Sequence, residues 1–125
     1  VTLDWLTKNS AFTQGATTDQ ALRTRFYPFR VEVLSAAVEH VHKRLPRWEK
    51  KSETYINSNR ILFIFERKTR LFKFIDDVEI TLSKCPYGTN MDAKSSSRIG
   101  KGDLGQNRRN IVEFFEILNI ELKNV

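Results

Sequence analysis

The segment "RILFIFERK" (60–68) constrains this chain more than any other. Residues Ile61 to Phe65 are consecutively apolar, and nearly all are β-branched or aromatic. Such a run suits a strand that is central in a sheet or covered on both faces. With 125 residues there is room for one ordinary domain around it and no second full core. Nine Phe, two Trp and three Tyr can build that core, which rules out wholesale disorder.

The neighbouring patterns fall into place around this strand. Upstream, "RTRFYPF" (23–29) reads as a short strand, moved to a sheet edge by Pro28. Val31, Leu34, Ala37, Val38, Val41 and Leu45 then recur at helical steps, and Pro46 ends the helix. A basic turn, "RWEKKSE" (47–53), leads into "TYINS" (54–58). Downstream, "TR" (69–70) makes a turn into "LFKFI" (71–75), and Val78, Ile80 and Leu82 alternate with polar residues as in a half-buried strand. Phe63, Phe65, Phe72 and Phe74 are all expected in the core.

Residues 86–105 read as a loop with, at most, a short edge strand near Ser96–Ile99. Ile111, Phe114, Phe115, Leu118 and Leu122 form one face of a closing helix, opposite Glu113, Glu116 and Lys123. The order predicts an α+β fold: an antiparallel sheet of about four to five strands with two helices packed on one face. Residues 1–22, polar and without a sustained period, read as a lead-in ordered only in part, and 23–125 as the domain. The starting Val suggests a piece of a longer protein.

Several chemistries find little support. No apolar run reaches the ~18 residues of a membrane span, and no signal peptide opens the chain. The single Cys85 excludes an internal disulfide and a multi-thiolate zinc site, and fits a reducing, intracellular setting. His40 and His42 lie two apart on the first helix and cannot ligate one ion together, so no metal is expected. Neither Cys85 nor Ser95–Ser97 has a context that marks a nucleophile. Glu66 and Lys68 spell the Glu-x-Lys of metal-dependent nucleases, but the only second carboxylate in view is Glu53, in a charged turn. Gly100, Gly102 and Gly105 spell G-x-G-x-x-G, yet too little chain follows for a dinucleotide fold. "GTNMDAKS" (88–95) lacks the glycine that a phosphate loop requires. Neither catalysis nor a cofactor is expected.

Charge is more informative. The 21 basic and 15 acidic residues leave +6, with a pI of about 9.7. The excess is concentrated in three segments. Lys43, Arg44, Arg47, Lys50 and Lys51 face Glu49 alone; Arg67, Lys68, Arg70 and Lys73 face Glu66; Lys94, Arg98, Lys101, Arg108 and Arg109 face Asp103. Segregated charge of this kind favours an anionic partner. The glycines before the closing helix, and the amides at its start, can receive an anion.

The last third resembles the kinase-associated-1 domain. "VEITLSKCP" (78–86) is similar to that family's hallmark strand, and "SSRIGKGDLGQNRRNI" (96–111) and "FFEILNIELKNV" (114–125) to its basic segment and closing helix. The resemblance implies a non-catalytic, regulatory, membrane-targeting module at the end of a serine/threonine kinase, such as the septin-associated kinases of fungi. It implies anionic phospholipids, notably phosphatidylserine, as ligands at the inner face of the plasma membrane, and an inhibitory contact with the chain's own kinase domain. Lys84, Arg98, Lys101 and Arg109 match its basic positions. Lys43, Arg44, Lys50, Lys51, Arg67, Lys68, Arg70, Lys94 and Arg108 join the expected lipid-binding set from charge counting. The alternative is a nucleic-acid-binding domain that uses the same charges on phosphates.

Overall fold

A computed structural model describes residues 9–69, 74–98 and 105–125. The order is β1 (Ser10–Phe12), a 3-10 turn (Gln20–Leu22), β2 (Arg25–Tyr27), α1 (Val31–Arg44), β3 (Trp48–Asn57), β4 (Arg60–Lys68), β5 (Ile75–Cys85), β6 (Gly88–Ser97) and α2 (Gln106–Leu122). The sheet is antiparallel, ordered β1-β6-β5-β4-β3, and β2 joins the same edge of β6 as β1. Among the described residues two helices pack on one face, so the expected α+β architecture is present, with six strands.

Strand parity decides what enters the core. Ile61, Phe63 and Phe65 of β4 and Val78, Ile80 and Leu82 of β5 are buried, while Leu62, Ile64, Glu79 and Thr81 point to the uncovered face. Against the buried row pack Leu34, Val38 and Val41 of α1 and Ile111, Phe114, Phe115 and Leu118 of α2. Trp48 lies across the seam, 5.9 Å from Phe114 and 5.8 Å from Phe65. Removing one such ring, as in Phe63→Ala, costs about 3–5 kcal/mol.

Several sequence expectations are corrected. The stretch read as a loop contains β6, a ten-residue strand between β5 and the β1/β2 edge. Its inward residues are Thr89, Met91, Ala93 and Ser95, so hydrophobic alternation is weak. Polar partners replace it: the Thr89 hydroxyl donates to the Phe29 carbonyl (2.8 Å), and that of Ser95 to Asn107 Oδ1 (2.6 Å). The basic turn at 47–53 is mostly β3, an edge strand whose charged residues remain wet. Of the segment read as a lead-in, residues 10–12 form β1 and 20–22 the 3-10 turn. Asp92 Oδ1 accepts from both Thr13 and Thr24 (2.6 Å each), closing the loop between β1 and β2. Phe63 and Phe65 are fully buried, Phe74 is exposed, and Phe72 lies outside the described residues.

A buried polar chain seats the start of α2. Asn110 Nδ2 donates to Asp76 Oδ2 (2.9 Å) and to Ser95 Oγ (3.0 Å). Asn107 Nδ2 donates to the Asn9 carbonyl and to Ser97 Oγ, both at 2.9 Å. Asp76, Ser95, Asn107 and Asn110 are all buried, so these bonds are obligatory.

Gly88 is required by close approach. A Cβ there would lie 2.2 Å from the Tyr27 carbonyl oxygen and 2.8 Å from the Phe26 ring. Gly88→Ala is therefore expected to push β2 off β6 and cost about 1–3 kcal/mol in urea unfolding. An unfolding curve superimposable on the wild type would show that β2 does not sit there.

Candidate anion-binding surface

The three basic segments converge at one end of the sheet. Trp48, Arg67, Asp76 and Ser97 share a row across β3 to β6. The Lys68 amide donates to the Arg47 carbonyl (3.0 Å), and that of Arg98 to Ile75 (3.2 Å). The α1–β3 connection, the ends of β4 and β6 and the start of α2 therefore meet, while the last turn of α1 lies beside the end of α2 at Glu121.

Convergence brings pairing with it. Lys50 Nζ bridges Glu39 and Glu53, Arg44 holds Glu121 at 2.6 Å, and Lys51 lies 3.5 Å from Glu49. Arg108 forks onto Asp19 at 2.8 and 3.0 Å. Arg98 clasps Asp77 (2.7 Å) and Glu66 (2.6 Å) on the uncovered face, and the two carboxylates raise its pKa further. Glu66 and Asp77 are cross-strand partners, so the second carboxylate sought for a nuclease is Asp77 rather than Glu53. A guanidinium occupies the position between them. Among the described residues, no group of three His, Cys, Asp or Glu could hold a metal ion.

The remaining candidates are dispersed. Lys43 and Lys68 are exposed at the convergent end, and Arg109 of α2 donates to Gln106 Oε1 (3.1 Å). Arg67 is half-buried there; burial lowers its pKa, with Arg47 and Arg109 adding repulsion against the opposing pull of Glu113 and Asp76. Lys94 stands on the uncovered face opposite Phe12 and Glu79. Arg70 and Lys101 lie outside the described residues, as do Gly100 and Gly102; Gly105 is the left-handed N-cap of α2 (φ 80°).

Lys84 lies at the opposite end, where the geometry is different. Its amide donates to the Asn59 carbonyl (2.8 Å), which brings the β3–β4 and β5–β6 hairpin tips side by side. The β5–β6 turn has only Pro86 and Tyr87 between the paired Cys85 and Gly88. Pro86 presets the first corner, and Tyr87 takes the second at φ +72°, a position that favours glycine. Tyr87 is 94% exposed, Tyr55 64% and Ile56 50%. Arg30, Arg60 and Lys84 are exposed beside them. Phe29, Arg30, Val31, Lys84 and Tyr87 line an open cleft of about 400 Å³.

Sequence reasoning passed over Tyr55, Ile56, Arg30, Arg60 and Tyr87, and it counted Arg47 without placing it in the site. A usable signal was present for Tyr87. Pro-Tyr-Gly after an alternating strand is a tight turn that holds its middle residue out in solvent.

The pairing predicts acid sensitivity. At Asp19 the Arg108 hydrogen bonds hold the carboxyl below its ordinary 3.8, against partial burial. At Glu39 burial pushes up, but the Lys50 hydrogen bond and charge carry the value below 4.5. Depressed carboxyls contribute stability above their unfolded pKa and lose it as pH falls through the folded one. Glu39→Gln should therefore lower Tm at about pH 6 and lose less of it on acidification to about pH 3. Parallel Tm-versus-pH curves for the two proteins would remove Glu39 from the acid transition.

No helix among the described residues is long and apolar enough to cross a membrane. No curated protein and no solved structure matches the chain. A family model described as "Protein of unknown function (DUF1499)" matches residues 1–118. That match spans the segment read as a lead-in as well as the body, and it overturns the resemblance to the kinase-associated-1 domain, which rested on short motifs in the last third of the chain. The kinase parent inferred from that resemblance goes with it. The chain belongs to the DUF1499 family.

Proposed function

We propose that the domain is a peripheral membrane-binding module that docks on anionic phospholipid through its hairpin end. The observation that carries this is the pairing of exposed apolar and aromatic side chains (Tyr55, Ile56, Tyr87) with cations that make no ion pair among the described residues (Arg30, Arg60, Lys84) on adjoining tips. Tyrosine at the headgroup level combines an apolar ring with a polar tip. Each cation near an anionic leaflet adds about 1 kcal/mol, so three give reversible binding. The strain held at Tyr87 supports the reading, since a glycine there would be the relaxed choice. The anionic cytoplasmic leaflet is the setting that suits this charge.

The convergent end has more cations in the sequence, but several of them are neutralised by carboxylates. We therefore expect Arg60→Ser with Lys84→Ser to weaken binding to phosphatidylserine vesicles about 30-fold, from ~2 kcal/mol. Lys43→Ser with Lys68→Ser should change it little. Equal losses would indicate a diffuse charge effect. Binding to DNA or RNA at the same salt, with vesicles left unbound, would favour the nucleic-acid reading.

Tyr87→Gly separates function from folding. Relieving the left-handed conformation should raise the unfolding free energy by about 1 kcal/mol, while vesicle co-sedimentation falls. A stabilised variant that binds vesicles as well as the wild type would exclude Tyr87 from the contact.

A further inference from the structure

We infer that the cleft at the hairpin end selects a serine phosphodiester headgroup, a refinement that rests on the membrane reading above. At about 400 Å³ the cleft is within the range of small-molecule sites. Phe29 and Val31 give it an apolar wall, and three charged residues share its lining. Arg30 and Glu32 flank Val31 at the start of α1, and Lys84 enters from the end of β5. All three are exposed, and none of them makes an ion pair among the described residues.

Two cations and one carboxylate are the inverse of what a serine headgroup carries. That headgroup has two anionic groups, phosphate and carboxylate, and one ammonium. Arginine and lysine both take phosphate or carboxylate oxygens in charge-assisted hydrogen bonds. Glycerol and inositol headgroups bring the phosphate without an ammonium, which leaves Glu32 facing an anion. Ethanolamine and choline headgroups bring one anion for two cations. Of these, the serine headgroup alone sets an opposite charge against each charge in the cleft. A carboxylate in the first turn also complements the helix dipole, but that role is indifferent to the headgroup.

Co-sedimentation with vesicles holding equal fractions of phosphatidylserine or phosphatidylglycerol checks this, because the two lipids carry the same net charge and a diffuse contact treats them alike. The wild type should prefer the serine lipid about threefold, the worth of one exposed ion pair. Glu32→Gln should abolish the preference, losing the ammonium contact and strengthening binding to the glycerol lipid. Glu116→Gln, the same charge change at an exposed position of α2, should strengthen binding to both lipids and keep their ratio. Equal binding of the two lipids by the wild type, or a preference that survives Glu32→Gln, overturns the headgroup site while peripheral docking stands. If neither vesicle binds, the membrane reading fails, and backbone amide shifts with soluble glycerophosphoserine and glycerophosphoglycerol decide the site. Saturable shifts at residues 30, 32 and 84 with the serine ester alone keep it as a site for a free ester. Their absence, or equal shifts with both compounds, removes it.

Discussion

Phe63, Phe65, Val78, Ile80 and Leu82 lie on one face of the two central strands, and Phe114, Phe115 and Leu118 close over them. Taking these side chains out of water is the constraint that organises everything else. One sheet face is consumed by the two helices. The other remains wet and must be covered with residues that tolerate water, which is where Arg98, Glu66 and Asp77 form their cluster. The strand ends, beyond the reach of the helices, are left to present whatever the turns contain.

The polar chain through Asp76, Asn110, Ser95 and Asn107 complements that seam. Apolar packing has little direction, whereas these hydrogen bonds fix where α2 begins relative to β5 and β6. An unsatisfied buried carboxylate or amide costs about 1–3 kcal/mol or more, so the register of the helix is strongly preferred. This is also how Arg109 and Glu113 come to lie near Arg67.

The two ends of the sheet differ in kind. One gathers many cations and answers several of them with carboxylates. The other gathers fewer cations, leaves them without an ion pair among the described residues and sets Tyr55 and Tyr87 beside them. A surface-seeking role fits the second better than the first, because ion pairs already formed must be broken before a lipid phosphate can use them. Total charge, +6, does not distinguish the two ends.

Patterns that live within a single element were legible in the sequence. The 3.6-residue spacing of Val31, Leu34, Val38 and Val41, and of Ile111, Phe114, Phe115 and Leu118, determined both helices and their buried faces, and the alternation in 78–82 determined β5. β6 escaped because its inward positions include only one large apolar residue, Met91, and the burial of Thr89 and Ser95 depends on partners outside the strand, such as Asn107. Charge was countable but its pairing was not: Arg98 meets Glu66 from 32 residues away, and Arg108 meets Asp19 from 89. Local periodicity is a property of the backbone and its neighbours, so sequence alone determines it. Which charges cancel, and which stand idle or exposed, depends on contacts between distant segments, and only the tertiary structure decided that.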